Sequence, residues 1–230
     1  MKLKWILWTT VTLMLAAMGF GIYEKRSYTD ISKDASYLEQ LYVAELPESN
    51  AFAVSRQLSE TLPLAPDIVR VTVKGEVEHL FKTSRQLVKV EQIYQGKSLS
   101  PGEEFYVTSG RWELIAASDP SDGNRVQRGF INFLNSGEEY LLFLGERVDG
   151  PGETTPIFEL YGGIETLLAP AFSYQEHKDV IVPIMDGAST YVPYSEVCDN
   201  EFFVTTQAAL DALLELKETM LQKYPEAVQP

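Results

Sequence analysis

Histidine and cysteine are scarce in this chain, and its 33 acidic residues are spread along the sequence, so that only geometry could select a catalytic pair among them. Its two histidines, His79 and His177, lie far apart, and neither has a cysteine or histidine at metal-ligand spacing. The one cysteine, Cys198, would act as a nucleophile only beside a histidine in the fold, and His177 is the more plausible neighbour. We expect structural or surface roles for all three residues.

A short polar stretch, Ser118–Asn124, offers the side-chain oxygens of Asp119, Asp122 and Asn124 as ligands that Ca²⁺ would accept. The spacing is not that of an EF-hand, and Pro, Ser, Asp and Gly are the residues that turns use. The stretch is interpreted as a turn, with a calcium site as the alternative. No nucleophile elbow, P-loop, dinucleotide-binding or zinc-protease motif occurs, so the sequence predicts no catalytic residue, metal or cofactor.

Aromatic residues are the most suggestive candidates for ligand binding. Aromatic side chains in the loops of a barrel can form a platform for peptides or glycans, and otherwise they fill the core and seal the barrel ends. The residues proposed for such a platform are Trp112, Tyr161, Tyr174 and Tyr191.

The charge of the chain excludes one class of partner. The formal net charge is −14, and Lys and Arg are not clustered after residue 26. Nucleic acid is therefore excluded as a partner, because phosphate binding requires clustered basic residues.

The N-terminus predicts membrane attachment. Trp5–Tyr23 carries no charge, and about 20 apolar residues suffice for a helix that crosses a bilayer. A cleaved signal peptide is the alternative, with a poor cleavage site at Ala17–Gly19. We predict an inner tail and transmembrane anchor over residues 1–26, a single-pass protein of the cell membrane, and an extracytoplasmic location for the remaining residues.

Two further segments complete the predicted organisation. Residues 27–66 form a stalk or a peripheral layer of weak helices, punctuated by prolines. Residues 67–230 form a β-barrel domain that ends in an amphipathic helix, in which Leu210, Leu213, Leu214, Leu221 and Tyr224 share one face. The predicted fold class is thus mainly β with α.

The stretch Tyr140–Leu144 decides the arrangement of the barrel domain. A strand with one wet face alternates apolar and polar residues, whereas a strand buried on both faces is continuously apolar. This stretch has five bulky apolar residues in a row between Gly137 and Gly145. It is predicted to be a central strand, with one face in the barrel interior and the other beneath the C-terminal helix.

Three sequence motifs carry a resemblance to a known family. Asp67–Ile68–Val69 opens a strand that continues through Gly75, Ile93–Gly96 precedes a Gly-Glu-Glu turn, and Gly137–Gly145 reads GEEYLLFLG. Their order, from Asp67 to Val148, resembles the netrin-like domain, the OB-type barrel of tissue metalloproteinase inhibitors. It is also similar to membrane-anchored, exported bacterial proteins with this barrel. The resemblance implies the fold alone, because the disulfides and the inhibitory N-terminal cysteine of the family have no counterpart here.

These observations favour a non-catalytic extracytoplasmic binding module, tethered to the cell membrane, whose ligand the sequence does not identify; an envelope protein and a glycan are the candidates. The first alternative is an envelope hydrolase whose carboxylate site assembles only in three dimensions. The second is an accessory subunit of a membrane complex, which would use Trp5–Tyr23 as a packing helix.

Overall fold

The computed structural model describes residues 2–27, 42–80, 83–110, 112, 114–116, 125–127, 130–148, 150, 152–162, 168–181 and 191–226. The chain divides into two compact units, Met1–Ala35 and Ser36–Pro230. The stretch Ser118–Asn124, interpreted as a turn with a calcium site as the alternative, lies outside the described residues. The predicted division at residues 26/27 and 66/67 stays a prediction.

The first unit contains helix α1, Lys2–Ser27. Among the described residues, no helix combines the length and the apolar character needed to cross a bilayer, so the predicted transmembrane helix over residues 1–26 is wrong. The apolar run is interrupted by three threonines, Thr9, Thr10 and Thr12, and by two glycines, Gly19 and Gly21. Residues of these types enter hydrocarbon less favourably than Leu or Ile.

The second unit is mainly β with α, as predicted. Its described strands are β1 (Tyr42–Ala44), β2 (Asp67–Val73), β3 (Glu78–His79), β4 (Ser84–Gln95), β5 (Glu104–Thr108), β6 (Leu114–Ala116), β7 (Arg125–Gln127), β8 (Glu139–Arg147), β9 (Ile157–Leu160), β10 (Ala171–Ser173) and β11 (Tyr191–Pro193). Its helices are α2 (Glu48–Thr61), α3 (Tyr194–Val197) and α4 (Gln207–Lys223), and residues 62–64 form a 3₁₀ turn after α2.

Five strands close into a barrel in the order β2, β4, β5, β9, β8. All neighbours are antiparallel except β5 and β9, which are parallel. The ring closes where Leu144 of β8 pairs with Leu160 of β9. β10 extends the sheet beyond the barrel by pairing with the first residues of β8. The closed five-stranded barrel is consistent with the predicted OB-like fold.

β8 separates two apolar cores, because alternate side chains of a strand point to opposite faces. Tyr140, Leu142 and Leu144 belong to the core of the barrel interior, which also includes Val71 and Phe105 of the neighbouring strands. Leu141 and Phe143, on the other face of β8, lie in a second core with residues of α2 and α4. All five residues of Tyr140–Leu144 are buried. The prediction of a central strand buried on both faces is therefore confirmed.

Helix α4 covers the outer face of β8. The Thr206 hydroxyl caps the helix by accepting a hydrogen bond from the Ala209 amide at 3.2 Å. The buried side chains Leu210, Leu213 and Leu216 face the second core, to which α2 contributes Leu58. Helix α2 lies in the segment predicted as a peripheral layer.

A second, smaller sheet has the order β11, β1, β7, β6. β1 pairs antiparallel with β11 and parallel with β7. Immediately after β1, Leu46 forms an isolated bridge with Val204, just before α4. This bridge connects the smaller sheet with the segment that leads into the covering helix.

Candidate functional site

An open cleft of about 580 Å³ lies beside α4. β10 ends at Ser173, and the next residues, 174–177, line the cleft together with one side of the helix. We call it the α4 cleft, and its helical side is formed by Leu214, Lys217, Glu218, Leu221 and Gln222.

An ion pair forms the floor of the α4 cleft. The ammonium group of Lys217 donates a hydrogen bond to Oε2 of Glu201, whose side chain is only 4% exposed. The second carboxyl oxygen, Oε1, accepts a hydrogen bond from the Ser173 amide at 2.9 Å. Burial raises the pKa of Glu201, and Lys217 acts in the opposite direction by stabilising the carboxylate. Lys217 also donates to the carbonyl oxygen of Gln175 at 3.2 Å.

A second polar group consists of His177, Glu138 and Tyr140. Nε2 of His177 is 3.1 Å from Oε2 of Glu138, and the Tyr140 hydroxyl donates to the same oxygen at 3.1 Å. A carboxylate can only accept hydrogen bonds, so Nε2 of His177 carries a proton in this arrangement. Burial raises the pKa of Tyr140, which keeps its phenol neutral.

A very small cavity adjoins this polar group. It encloses about 10 Å³, and His177 and Glu201 line both this cavity and the α4 cleft. A space of this size accommodates about one water molecule. The α4 cleft is therefore the part of this region that is large enough for an organic ligand or a polypeptide.

The rim of the α4 cleft combines acidic and apolar side chains. Glu176 and Glu218 are exposed, Leu214 is 37% exposed and Leu221 is half-buried. Lys217 is paired with Glu201, so among the residues that line the cleft the exposed charges are the carboxylates of Glu176 and Glu218. The rim favours a ligand that has both positive charge and apolar surface.

The four predicted binding residues are not brought into one platform. Trp112 is 1% exposed and packs in the barrel interior, with its ring centroid 5.5 Å from that of Phe133. Tyr161 and Tyr174 are half-buried and pack against the second core. Tyr191 lies on β11, where the structure describes its backbone only.

Of these four residues, Tyr174 lies in the wall of the α4 cleft. Its hydroxyl donates to the carbonyl oxygen of Tyr224 at 2.8 Å and lies 3.0 Å from the hydroxyl of Tyr94. These bonds fasten the end of α4 to the barrel and leave the ring edge at the cleft. The binding roles predicted for the aromatic residues stay predictions.

The cysteine and the two histidines, for which structural or surface roles were expected, lie in separate surroundings. Cys198 is exposed, and the described hydrogen-bond partners of its sulfur are the Ser195 carbonyl oxygen and the Asp199 carboxylate. Burial of its sulfur and the neighbouring Asp199 raise the pKa of the thiol, which opposes formation of the nucleophilic thiolate. Nδ1 of His79 is 3.0 Å from the Ser84 hydroxyl, and burial lowers the pKa of the imidazole. Within the described ranges, no group of three His, Cys, Asp or Glu residues is arranged to hold a metal ion.

The sequence analysis did not identify Lys217 and Glu201, the two residues of the cleft floor. One signal could have indicated Lys217, because it lies four residues after Leu213 and seven after Leu210, on the apolar face of α4. A charge at such a position requires a partner when the helix packs. The identity of that partner, Glu201, could not be read from the sequence, in which 33 acidic residues are present.

Comparison of the whole sequence with protein-family models and with curated proteins finds no match. The resemblance to the netrin-like family is therefore not supported by a family match. What the structure supports is the coarser statement that the second unit contains a closed five-stranded barrel.

Proposed function

We propose that this protein is a binding module whose α4 cleft holds a basic, partly apolar segment of a partner protein. The observation that carries the proposal is the composition of the cleft, which has an acidic rim, one exposed and one half-buried leucine, and a floor whose charges are already paired.

The charge of the rim supports a basic partner. Glu176 and Glu218 stand at opposite sides of the cleft, one on the segment after β10 and the other on α4. The net charge of −14 adds an attractive field for a positively charged segment, which would accelerate the encounter.

The apolar surface supports a polypeptide rather than a small cation. Leu214 and Leu221 lie seven residues, or about two helical turns, apart along α4, so they present aliphatic patches on the same side of the helix. Burial of such patches contributes roughly 25 cal/mol per Å² to association. Alternating basic and apolar side chains on a partner segment would satisfy both kinds of surface.

The alternative prediction of a carboxylate-based hydrolase has one observation in its favour. Glu201, with a raised pKa, lies in the same cleft as His177. However, both oxygens of Glu201 accept hydrogen bonds, and Oε2 of Glu138 is engaged by Tyr140 and His177. These hydrogen bonds use the carboxylates to hold neighbouring segments of the chain in place. We therefore propose a binding function rather than hydrolysis.

The membrane tether is not part of the proposal, because it depended on the transmembrane helix. The accessory-subunit alternative depended on the same helix and is likewise not carried forward. An extracytoplasmic location and a netrin-like origin of the barrel stay predictions from the sequence.

Two synthetic peptides provide the test, one of alternating lysine and leucine and one of alternating glutamate and leucine. Backbone amide shifts of the full-length protein are followed by NMR during titration with each peptide. We expect the lysine peptide to shift the amides of residues 174–178 and 214–222, and the glutamate peptide to leave them unchanged. Shifts that spread over other acidic surfaces and bypass these residues would contradict the proposal.

A charge-matched pair of variants separates the cleft from bulk electrostatics. Glu176→Lys/Glu218→Lys reverses two charges at the rim, and Glu60→Lys/Glu196→Lys reverses two exposed charges elsewhere. Because both change the net charge equally, only the rim variant should weaken binding of the lysine peptide, by about tenfold or more, which corresponds to ~1.4 kcal/mol. Equal weakening by both variants would exclude a specific cleft.

A further inference from the structure

Glu45 occupies an unusual position in the smaller sheet. It lies between the last residue of β1 and Leu46, which bridges to Val204. Its side chain is 1% exposed, and neither carboxyl oxygen accepts a hydrogen bond from any described residue. Buried carboxyl groups are almost always hydrogen-bonded or paired with a cation, so this group stands out.

The residues before and after Glu45 are held by backbone pairing with other segments. Val43 pairs with Val192 of β11, and the Leu46 amide donates to the carbonyl oxygen of Phe203 at 2.7 Å. The Leu46 carbonyl accepts from the Thr205 amide at 3.3 Å. The carboxyl group therefore sits where the smaller sheet joins the segment that leads into α4, and water can reach it only if this junction opens.

Among the described side chains, those of the neighbouring segments offer little compensation for a negative charge. Residues 202–204 are Phe, Phe and Val, all buried. β11 contributes the apolar Val192, and α3 follows with Tyr194, whose hydroxyl donates to Oδ1 of Asn132 at 2.9 Å. Burial raises the pKa of Tyr194 to about 12, so it is neutral, and the titratable groups beside it are Cys198 and Asp199. On the other side, β7 is described through its backbone pairing with β1.

The proton affinity of Glu45 agrees with this environment. Burial raises the pKa of the carboxyl group from 4.5 to about 7. The neutral acid is thus the form that fits the closed junction below neutral pH, and the carboxylate is the form that opposes it above neutral pH.

We propose that Glu45 is a proton-operated latch, which holds β1 in the smaller sheet while protonated and releases it when ionised. Release means loss of the bonds between Leu46 and residues 203–205 and of the pairing of β1 with β11. The barrel does not take part, because its strands pair through other residues.

Amide hydrogen exchange of the full chain tests the latch directly. Exchange of the Leu46 amide is measured between pH 6 and pH 8 and corrected for the intrinsic pH dependence of exchange. We expect its protection to fall about tenfold over this range, because an exposed carboxyl is fully ionised there while the buried group is still losing its proton. Protection of the Val90 amide, which donates to Glu103 within the barrel, should not change in parallel.

Two variants and one independent measurement decide the outcome. Glu45→Gln should abolish the pH-dependent fall at Leu46, and Glu60→Gln, which alters an exposed carboxyl, should retain it. If Glu45→Gln does not fold, the ¹³C carboxyl titration of Glu45 in the unaltered protein replaces it, with a midpoint above pH 6 expected. A midpoint near 4.5, or an undiminished fall in Glu45→Gln, would overturn the proposal.

Discussion

The ammonium group of Lys217 lies against the carboxylate of Glu201, and the two side chains are only 12% and 4% exposed. The pair joins α4 to the segment that precedes it, and Ser173 of β10 holds the same carboxylate from the other side. Such a contact fixes the position of the helix above β8 and thereby the width of the α4 cleft.

Replacing Lys217 by methionine should destabilise the protein by about 3 kcal/mol at neutral pH, because it leaves the Glu201 carboxylate buried without a counter-charge. Burial already raises the pKa of Glu201 above its ordinary value. A raised folded-state pKa gives stability that is present at low pH and lost as the pH rises, so the penalty should shrink on acidification. Urea unfolding at several pH values measures the effect.

A second substitution identifies the cause of that loss. Lys217→Met/Glu201→Leu replaces the whole pair by apolar groups and should recover most of the stability. Lys97→Met, which removes an exposed charge, should change the free energy of unfolding by no more than about 0.5 kcal/mol. Failure of the double variant to recover stability would show that Lys217 contributes through packing rather than through its charge.

The Glu45 carboxyl should also affect global stability as a function of pH. Its pKa of about 7 lies above the value of 4.5 for an exposed glutamate, so the acid form stabilises the fold below pH 4.5 and this contribution is lost between 4.5 and 7. We expect Glu45→Gln to raise the free energy of unfolding by about 1–3 kcal/mol at pH 8 relative to its effect at pH 4. Chemical denaturation at the two pH values provides the comparison, and equal effects at both would refute it.

Trp112 should behave as a core residue in fluorescence. Trp5→Phe/Trp8→Phe leaves it as the remaining tryptophan of three. Because Trp112 is 1% exposed, its emission should be blue-shifted and poorly quenched by acrylamide, whereas Trp112→Phe should retain the strongly quenched emission of Trp5 and Trp8, which are 78% and 72% exposed. Trp112→Ala should cost about 3–5 kcal/mol of stability. Ready quenching of Trp112 would argue for the binding platform instead.

Gly96 and Gly102 offer a matched test of crowding at a turn. Both have positive φ, at +104° and +82°, but a Cβ at Gly96 would overlap Asp67, whereas nothing lies within 4 Å at Gly102. Asp67 is buried and accepts a hydrogen bond from the Ser98 amide at 3.1 Å. Gly102→Ala should cost about 1 kcal/mol from backbone strain, and Gly96→Ala about 1–3 kcal/mol more. Equal losses in thermal or urea unfolding would mean that Asp67 can move aside.

Local patterns predicted the elements whose burial is encoded along a single segment. The continuous apolar run Tyr140–Leu144 indicated a doubly covered strand, and the apolar face of residues 210–224 indicated the helix that covers it. The same approach failed for residues 1–26. The prediction there rested on the length of the run and its lack of charge, whereas crossing a bilayer also depends on the average transfer free energy of the residues.

The aromatic residues illustrate what a linear pattern leaves open. The residues adjacent to Trp112 in the sequence do not indicate whether its side chain faces solvent or the barrel interior. Only the pairing of the strands brought Trp112 into contact with Phe133. Tyr174 reached the wall of the α4 cleft because β10 ends at the preceding residue.

The sequence by itself determined the barrel's central strand, the covering helix and the acidic character of the surface, since each depends on residue type and periodicity over one segment. Only the tertiary structure decided that Lys217 contacts Glu201, that His177 contacts Glu138, and that Glu45 is buried with no hydrogen-bond partner in the part of the chain that the structure describes. These contacts join residues distant in the chain, and many acidic residues could have supplied each carboxylate. Packing of the helices and strands selects the partner, because it determines which side chains come into contact and which are buried away from water.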